Sequence, residues 1–225
     1  MPEVRAAADQ YFASIPSRPL PRRARVEEPQ HHAAIRLEMK SARAAQPHWS
    51  RSYLAPSYHG GETTQAYPLE VLAEVIGGGA SSRLYRTLVL DRGLAISTGA
   101  RYSPSVIDLA TFAVYATPKP GVSVADLEAA VDAELQRLVR DGVDPNEVRR
   151  AKERMQAAAV YASDSLSGPA NIIGSALAIG LGLDEVEAWP ERIGAVTPAE
   201  IDAAARAMLV ERNSATGILL PEPSS

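Results

Sequence analysis

Four histidines, His31, His32, His48 and His59, supply every imidazole in the 225 residues. A helical zinc centre needs two histidines about one turn apart with a glutamate as general base, in the order HxxEH or HExxH. Neither order occurs. His31 and His32 adjoin a strand-like run, where neighbouring side chains point to opposite faces and do not converge on one ion. Solvated surface histidines are the expectation. Serine hydrolysis lacks its GxSxG elbow, and the absence of cysteine removes thiolate nucleophiles, thiolate metal sites and disulfides. The run "GGGASS", Gly77 to Ser82, invites a phosphate-cradle reading. A dinucleotide fingerprint would need glycine where Ser82 stands, after a strand, and a Walker loop needs a lysine, whereas none lies between Lys40 and Lys119. No catalytic or metal-ligating constellation is complete.

The glycine run lies between two helical patterns. Gly77 is placed to close the first in the left-handed conformation, and Ser81 or Ser82 to accept hydrogen bonds from the opening N–H groups of the second, about Ser82 to Asp91. Two caps do not require three glycines, so close approach of another backbone is a further reason for them. Upstream, Val4, Ala7, Ala8, Tyr11 and Phe12 fit one face of a short helix, and the proline-rich "IPSRPLPRRARVEEP" reads as an extended linker. Ile35, Leu37 and Met39 alternate with Arg36, Glu38 and Lys40, which predicts a half-buried strand. "WSRSYLAPS" is a second strand. Leu94–Tyr102 and Leu109–Ala116 form a hairpin.

Helices are expected over Val124–Arg140 and Pro145–Ala162, burying Leu127, Val131, Leu135, Val148 and Met155. Gly142 ends the first; Asp144, Pro145 and Glu147 sit where an N-cap, a first-turn proline and an N3 carboxylate open the second. Glu147 and Glu153, among Arg149, Arg150, Lys152 and Arg154, read as a solvated face with ion pairs. The uncharged Ser165–Leu183 contains Gly168, Pro169 and Asn171 and is too weakly apolar for a membrane span; a buried helix of small residues is expected. "SATGILLP" ends the series as a strand. The order β-β-α-α-β-β-α-α-α-α-β gives an α+β fold in two layers, an antiparallel-rich sheet with helices packed on one face. Residues 1–23 read as a partial helix and linker, and 24–225 as one domain.

With 46% hydrophobic residues and a net charge of -4, the chain can bury a core and lacks the basic excess of a nucleic-acid surface. Only Lys40, Lys119 and Lys152 of its 23 basic residues are lysines, a bias of GC-rich bacterial genomes. The opening residues show no secretory pattern, which leaves periplasm and cytoplasm both open.

The stretch "LEVLAEVIGGGASSRLYRTLVLDRGLAIS", residues 69 to 97, with "YLAPS", "VYATPKPG", "DGVDPNEVRRAKER" and "AVTPAEIDAAARAML", resembles the carboxy-terminal, zinc-free half of bacterial peptidases of the pitrilysin and insulin-degrading enzyme family. The resemblance implies a domain of the mitochondrial processing peptidase type and a native protein about twice as long. Zinc is then expected on an amino-terminal domain of the same protein or on a second family subunit, in a homodimer or heterodimer, with none held here. It also implies that the glycine loop and following helix face a chamber for an extended peptide substrate, with Gly78, Gly79, Ser82, Arg83 and Tyr85 as contacts. Competent halves of the family carry an arginine seven residues before a tyrosine. Aligning "LAIS" puts Val89 and Ile96 in those slots, so both polar groups are missing. The implied role is a non-catalytic, substrate-clamping half of a zinc endopeptidase; the alternative is an assembly domain, like the bc1 complex core subunits.

Overall fold

The computed structural model describes residues 2–16, 18 and 33–222. Helix α1 (Pro2–Phe12) is followed by strands β1 (Ile35–Ser41) and β2 (His48–Ala55), helix α2 (Ala66–Gly77), a π-helix (Tyr85–Asp91), and strands β3 (Ala95–Tyr102) and β4 (Ala110–Pro118). Helices α3 (Val124–Asp141), α4 (Pro145–Ser163), α5 (Gly168–Ala178), α6 (Leu183–Glu187), α7 (Trp189–Ala195) and α8 (Pro198–Met208) lead to strand β5 (Ser214–Pro221). The sheet order is β1-β5-β2-β4-β3; β1 runs parallel to β5, and the other pairs are antiparallel. The expected α+β fold is observed, with hairpin strands and long helices within two residues of their sequence-based bounds. The proline-rich linker, and His31 and His32, lie largely or wholly outside the described residues.

Strict alternation along β2 explains the layering. Trp49, Arg51, Tyr53 and Ala55 are buried toward the helices, and the residues between them face the other way. Leu127, Val131 and Leu135 of α3 and Val148 of α4 join the same core with Leu69, Leu72 and Ile76 of α2. Met155 packs at the margin of that core and is only partly buried. Gly142 ends α3 at φ +80°, its N–H donating to Leu138 O at 2.8 Å, and the Asp144 carboxylate accepts from the N–H groups of Asn146 and Glu147. Both caps follow the sequence expectation.

Three expectations are corrected. Strand β1 forms, but Ile35, Leu37 and Met39 are 43%, 66% and 61% exposed. Register places them beside Ala215, Gly217 and Leu219, on the sheet face away from the helices, while Arg36 reaches Glu128 of α3. Alternation correctly separates the two faces of the strand, but it does not say whether anything covers the apolar one. Helix α5 likewise buries only Ala176, leaving Ile172 and Leu177 exposed, so its apolar residues are not core. The charged face of α4 is structural as well as solvated. Lys152 Nζ donates to Gly194 O and Val196 O at 2.6 and 2.8 Å, and Arg154 pairs with Glu74 at 2.7 Å. Arg149–Glu153 is the exposed pair the spacing foretold.

Candidate functional site

The glycine run joins α2 to the π-helix, and each glycine has a different physical role. Gly77 is still inside α2 and does not take a positive φ, contrary to expectation. A Cβ there would lie 1.8 Å from Ala100 N and 2.4 Å from Gly99 C, so the end of α2 rests on the backbone of β3. Gly78 donates its N–H to Glu74 O at 2.9 Å, and a Cβ would run into the Glu74 carboxylate. Gly79 is the left-handed residue, at φ +96°, and a Cβ there would meet nothing within 4 Å. Close approach is therefore real, and its object is the protein's own strand.

Among the other candidates, Ser82 is 2% exposed; its N–H donates to Gly79 O, and its hydroxyl finds no partner among the described residues. Arg83 Nη2 donates to Glu147 Oε2 at 2.7 Å and to Gly142 O at 3.3 Å, with Nε 3.2 Å from the same carboxylate oxygen. Glu147 thus ties the segment just before the π-helix to the α3–α4 turn instead of closing a capping box. Tyr85 opens the π-helix and is half-buried. The wide turn is marked by the Arg92 N–H donating to Thr87 O at 3.0 Å, a five-residue span. Val89 packs partly buried against the core. Ile96 is 45% exposed where β3 shifts register between Ala95 and Ser97, a bulge that turns the side chain outward. The structure brings Gly78, Gly79, Ser82, Arg83 and Tyr85 together on one turn, with Ser82 and Arg83 committed to packing.

These residues do not fit zinc. His48 Nδ1 lies 3.5 Å from Thr117 Oγ1, and His59 Nε2 is buried with no partner among the described residues; both residues are half-buried, against the solvated expectation. Among the described residues no three metal-ligating side chains converge.

A second polar cluster was missed by sequence reasoning. Glu70, one turn into α2, accepts from Tyr58 Oη at 2.5 Å and from Trp189 Nε1 at 3.1 Å. The available signal was a carboxylate set within the apolar run Pro68–Val71. Burial pushes its carboxyl up to about 7, the two donors opposing that rise. Tyr58 and Tyr102, also raised by burial, and the cationic Arg192 do not change charge in the neutral range. An unfolded glutamate titrates near about 4.3, so the folded chain holds the proton more tightly. The stability this confers is complete below that value and is lost as pH rises through about 7. Urea denaturation between about pH 5 and pH 8 should show stability falling, and Glu70→Gln should flatten that slope; an unchanged slope would refute the assignment.

The Peptidase M16 inactive domain family matches residues 2–155. A Streptomyces coelicolor protein named as an uncharacterized zinc protease is 33% identical over 151 residues, 66% of this chain and 32% of that protein. Among solved structures, a Helicobacter pylori protease superposes with a TM-score of 0.87 at 18% identity, covering 98% of this chain and 52% of the other. A peptidase M16 inactive domain from Pseudomonas fluorescens gives 0.75 at 20% identity, with 100% and 52% covered. The chain thus spans about half the length of these solved relatives and a third of the Streptomyces protein. No described helix is long and apolar enough to cross a membrane. With the expected α+β sheet in place and the family matched through its first 155 residues, this chain belongs to the peptidase M16 inactive domain family.

Proposed function

We propose that this chain is the non-catalytic, substrate-clamping half of a zinc-dependent endopeptidase acting on extended peptides. The carrying observation is the apolar row Ile35, Leu37 and Met39, left exposed among the described residues on the sheet face away from the helices. A row of this kind is what a stable neighbouring domain covers. An amino-terminal zinc-type domain of the same protein, or a second family subunit, is the proposed neighbour and the bearer of the metal. Residues 1–23 would then form a partial helix and linker leading from that domain into residues 24–225. Gly79 and Tyr85, with the Gly78 backbone, remain the proposed peptide contacts on the turn.

A clamp without its neighbour offers few hydrogen bonds, each worth about 0.5 to 1.5 kcal/mol net, against the cost of ordering an extended peptide. This chain alone should bind a labelled extended peptide with a Kd of about 1 mM or weaker, hold no stoichiometric zinc and cleave nothing. Anisotropy titration, metal analysis and a proteolysis assay check the three points; saturable low-micromolar binding would overturn the dependence on a neighbour. Val89 and Ile96 favour a second reading, an assembly domain in a catalytically inactive protein, because neither can polarise a substrate carbonyl. An HxxEH motif in the partnering domain, with peptide turnover by the pair, would decide for the clamp.

A further inference from the structure

Glu70 lines a cavity of about 710 Å³ whose walls come from α2, α4, α5, α6 and α7. Tyr58, Tyr67 and Trp189 line it together with Glu70. The Tyr58 and Tyr67 rings are 5.1 Å apart and tilted by 44°. Glu185 and Glu187 add two further carboxylates to the wall, and no lysine, arginine or histidine lines it. Ile172, Ile173, Leu181 and Leu183 supply the apolar side.

We propose that this cavity binds an organic cation, an ammonium or guanidinium carried on an apolar stem. The proposal does not depend on the clamp reading. Glu70 makes no ion pair among the described residues, and its two oxygens keep lone pairs beyond those used by Tyr58 and Trp189. A carboxylate that accepts from the Tyr58 hydroxyl and the Trp189 indole N–H matches a cation by charge, and the aromatic rings lining the same cavity add their quadrupoles. The Tyr67 ring already meets one cation, the Arg192 guanidinium, which is not among the lining residues; it lies 5.6 Å from the ring centroid and donates to the Tyr67 hydroxyl at 2.6 Å. An anion would meet three carboxylates, and a neutral apolar molecule would leave the Glu70 charge without a counter-ion. The volume is that of small-molecule sites, about 300 to 1,000 Å³. The apolar wall selects for a stem of several carbons over a bare ion.

The test titrates the whole chain at pH 8 with 4-phenylbutylamine, its neutral analogue 4-phenylbutanol and the anion 4-phenylbutanoate. Trp189 fluorescence is the reporter, since Trp49 is fully buried elsewhere. The amine should bind at least about tenfold more tightly than the alcohol, equivalent to about 1.4 kcal/mol, and the anion should not saturate. Glu70→Gln, which keeps both hydrogen-bond partners occupied, should erase the preference while melting as a folded chain. Competition with a short peptide carrying lysine between apolar residues identifies the source: displacement assigns the cation to a peptide side chain, and its failure to a free amine. Equal binding of amine and alcohol by the unaltered chain would overturn the proposal without reference to any variant.

Discussion

Arg51→Met should lower the unfolding free energy by about 3 kcal/mol, at the lower end of the range for breaking a buried ion pair. Arg51 is 5% exposed on β2, where Nε donates to Thr216 Oγ1 at 2.9 Å and Nη2 to Glu128 Oε1 at 2.8 Å. Nη1 pairs with Asp132, and the guanidinium lies 5.2 Å from the Trp49 ring centroid. Methionine would keep much of the packing and strand the charges. The lower end applies because the Asp132 side chain is 28% exposed and Glu128 retains Arg36. Removing the carboxylates as well, with Glu128→Gln and Asp132→Asn, should recover part of the loss, because the penalty comes from unpaired charge. Urea denaturation of the single and triple variants measures both; a cost below about 1 kcal/mol for Arg51→Met would refute the account.

Gly77→Ala should cost about 3 kcal/mol, against about 1 kcal/mol for Gly79→Ala. The contrast comes from what a methyl group meets. At Gly77 the obstacle is the backbone of Gly99 and Ala100, which can yield only by moving β3 or the end of α2, and both belong to the core. At Gly79 the space is open, and only the left-handed φ of +96° resists. Parallel thermal melts with calorimetric enthalpies compare the two. Equal losses would mean that helix and strand separate freely at Gly77.

The sheet, its hairpin and the two long helices were legible because alternation and the three-to-four-residue stripe are written into consecutive residues, and because Asp144 and Gly142 are local caps. Contacts between distant segments were not legible. Glu147 reads locally as a cap, yet Arg83, on another helix, takes its carboxylate. Gly77 reads as a helix end, whereas β3, made later in the chain, explains why it has no side chain. Glu70 gave only a faint signal, since its partners Tyr58 and Trp189 converge on it from opposite sides of the sequence. The apolar row of β1 reads as core because sequence shows what prefers burial without showing what will cover it.

Strand β5 lies between β1 and β2 although it is the last of the five to be made. On the ribosome, the one ladder β1 makes among the described residues, from Ile35 beside Ala215 to Ser41 beside Pro221, cannot form until Ser214–Pro221 emerges. β2 can pair with β4 much earlier but keeps one edge open. At about 5 to 20 residues per second, roughly 160 residues of synthesis between β2 and β5 take about 8 to 32 seconds. During that interval an unfinished sheet presents hydrogen-bonding edges to whatever is nearby. Closure by one central, late strand makes completion of this sheet wait for Ser214–Pro221, and until then β1 and one edge of β2 stay open to other strands.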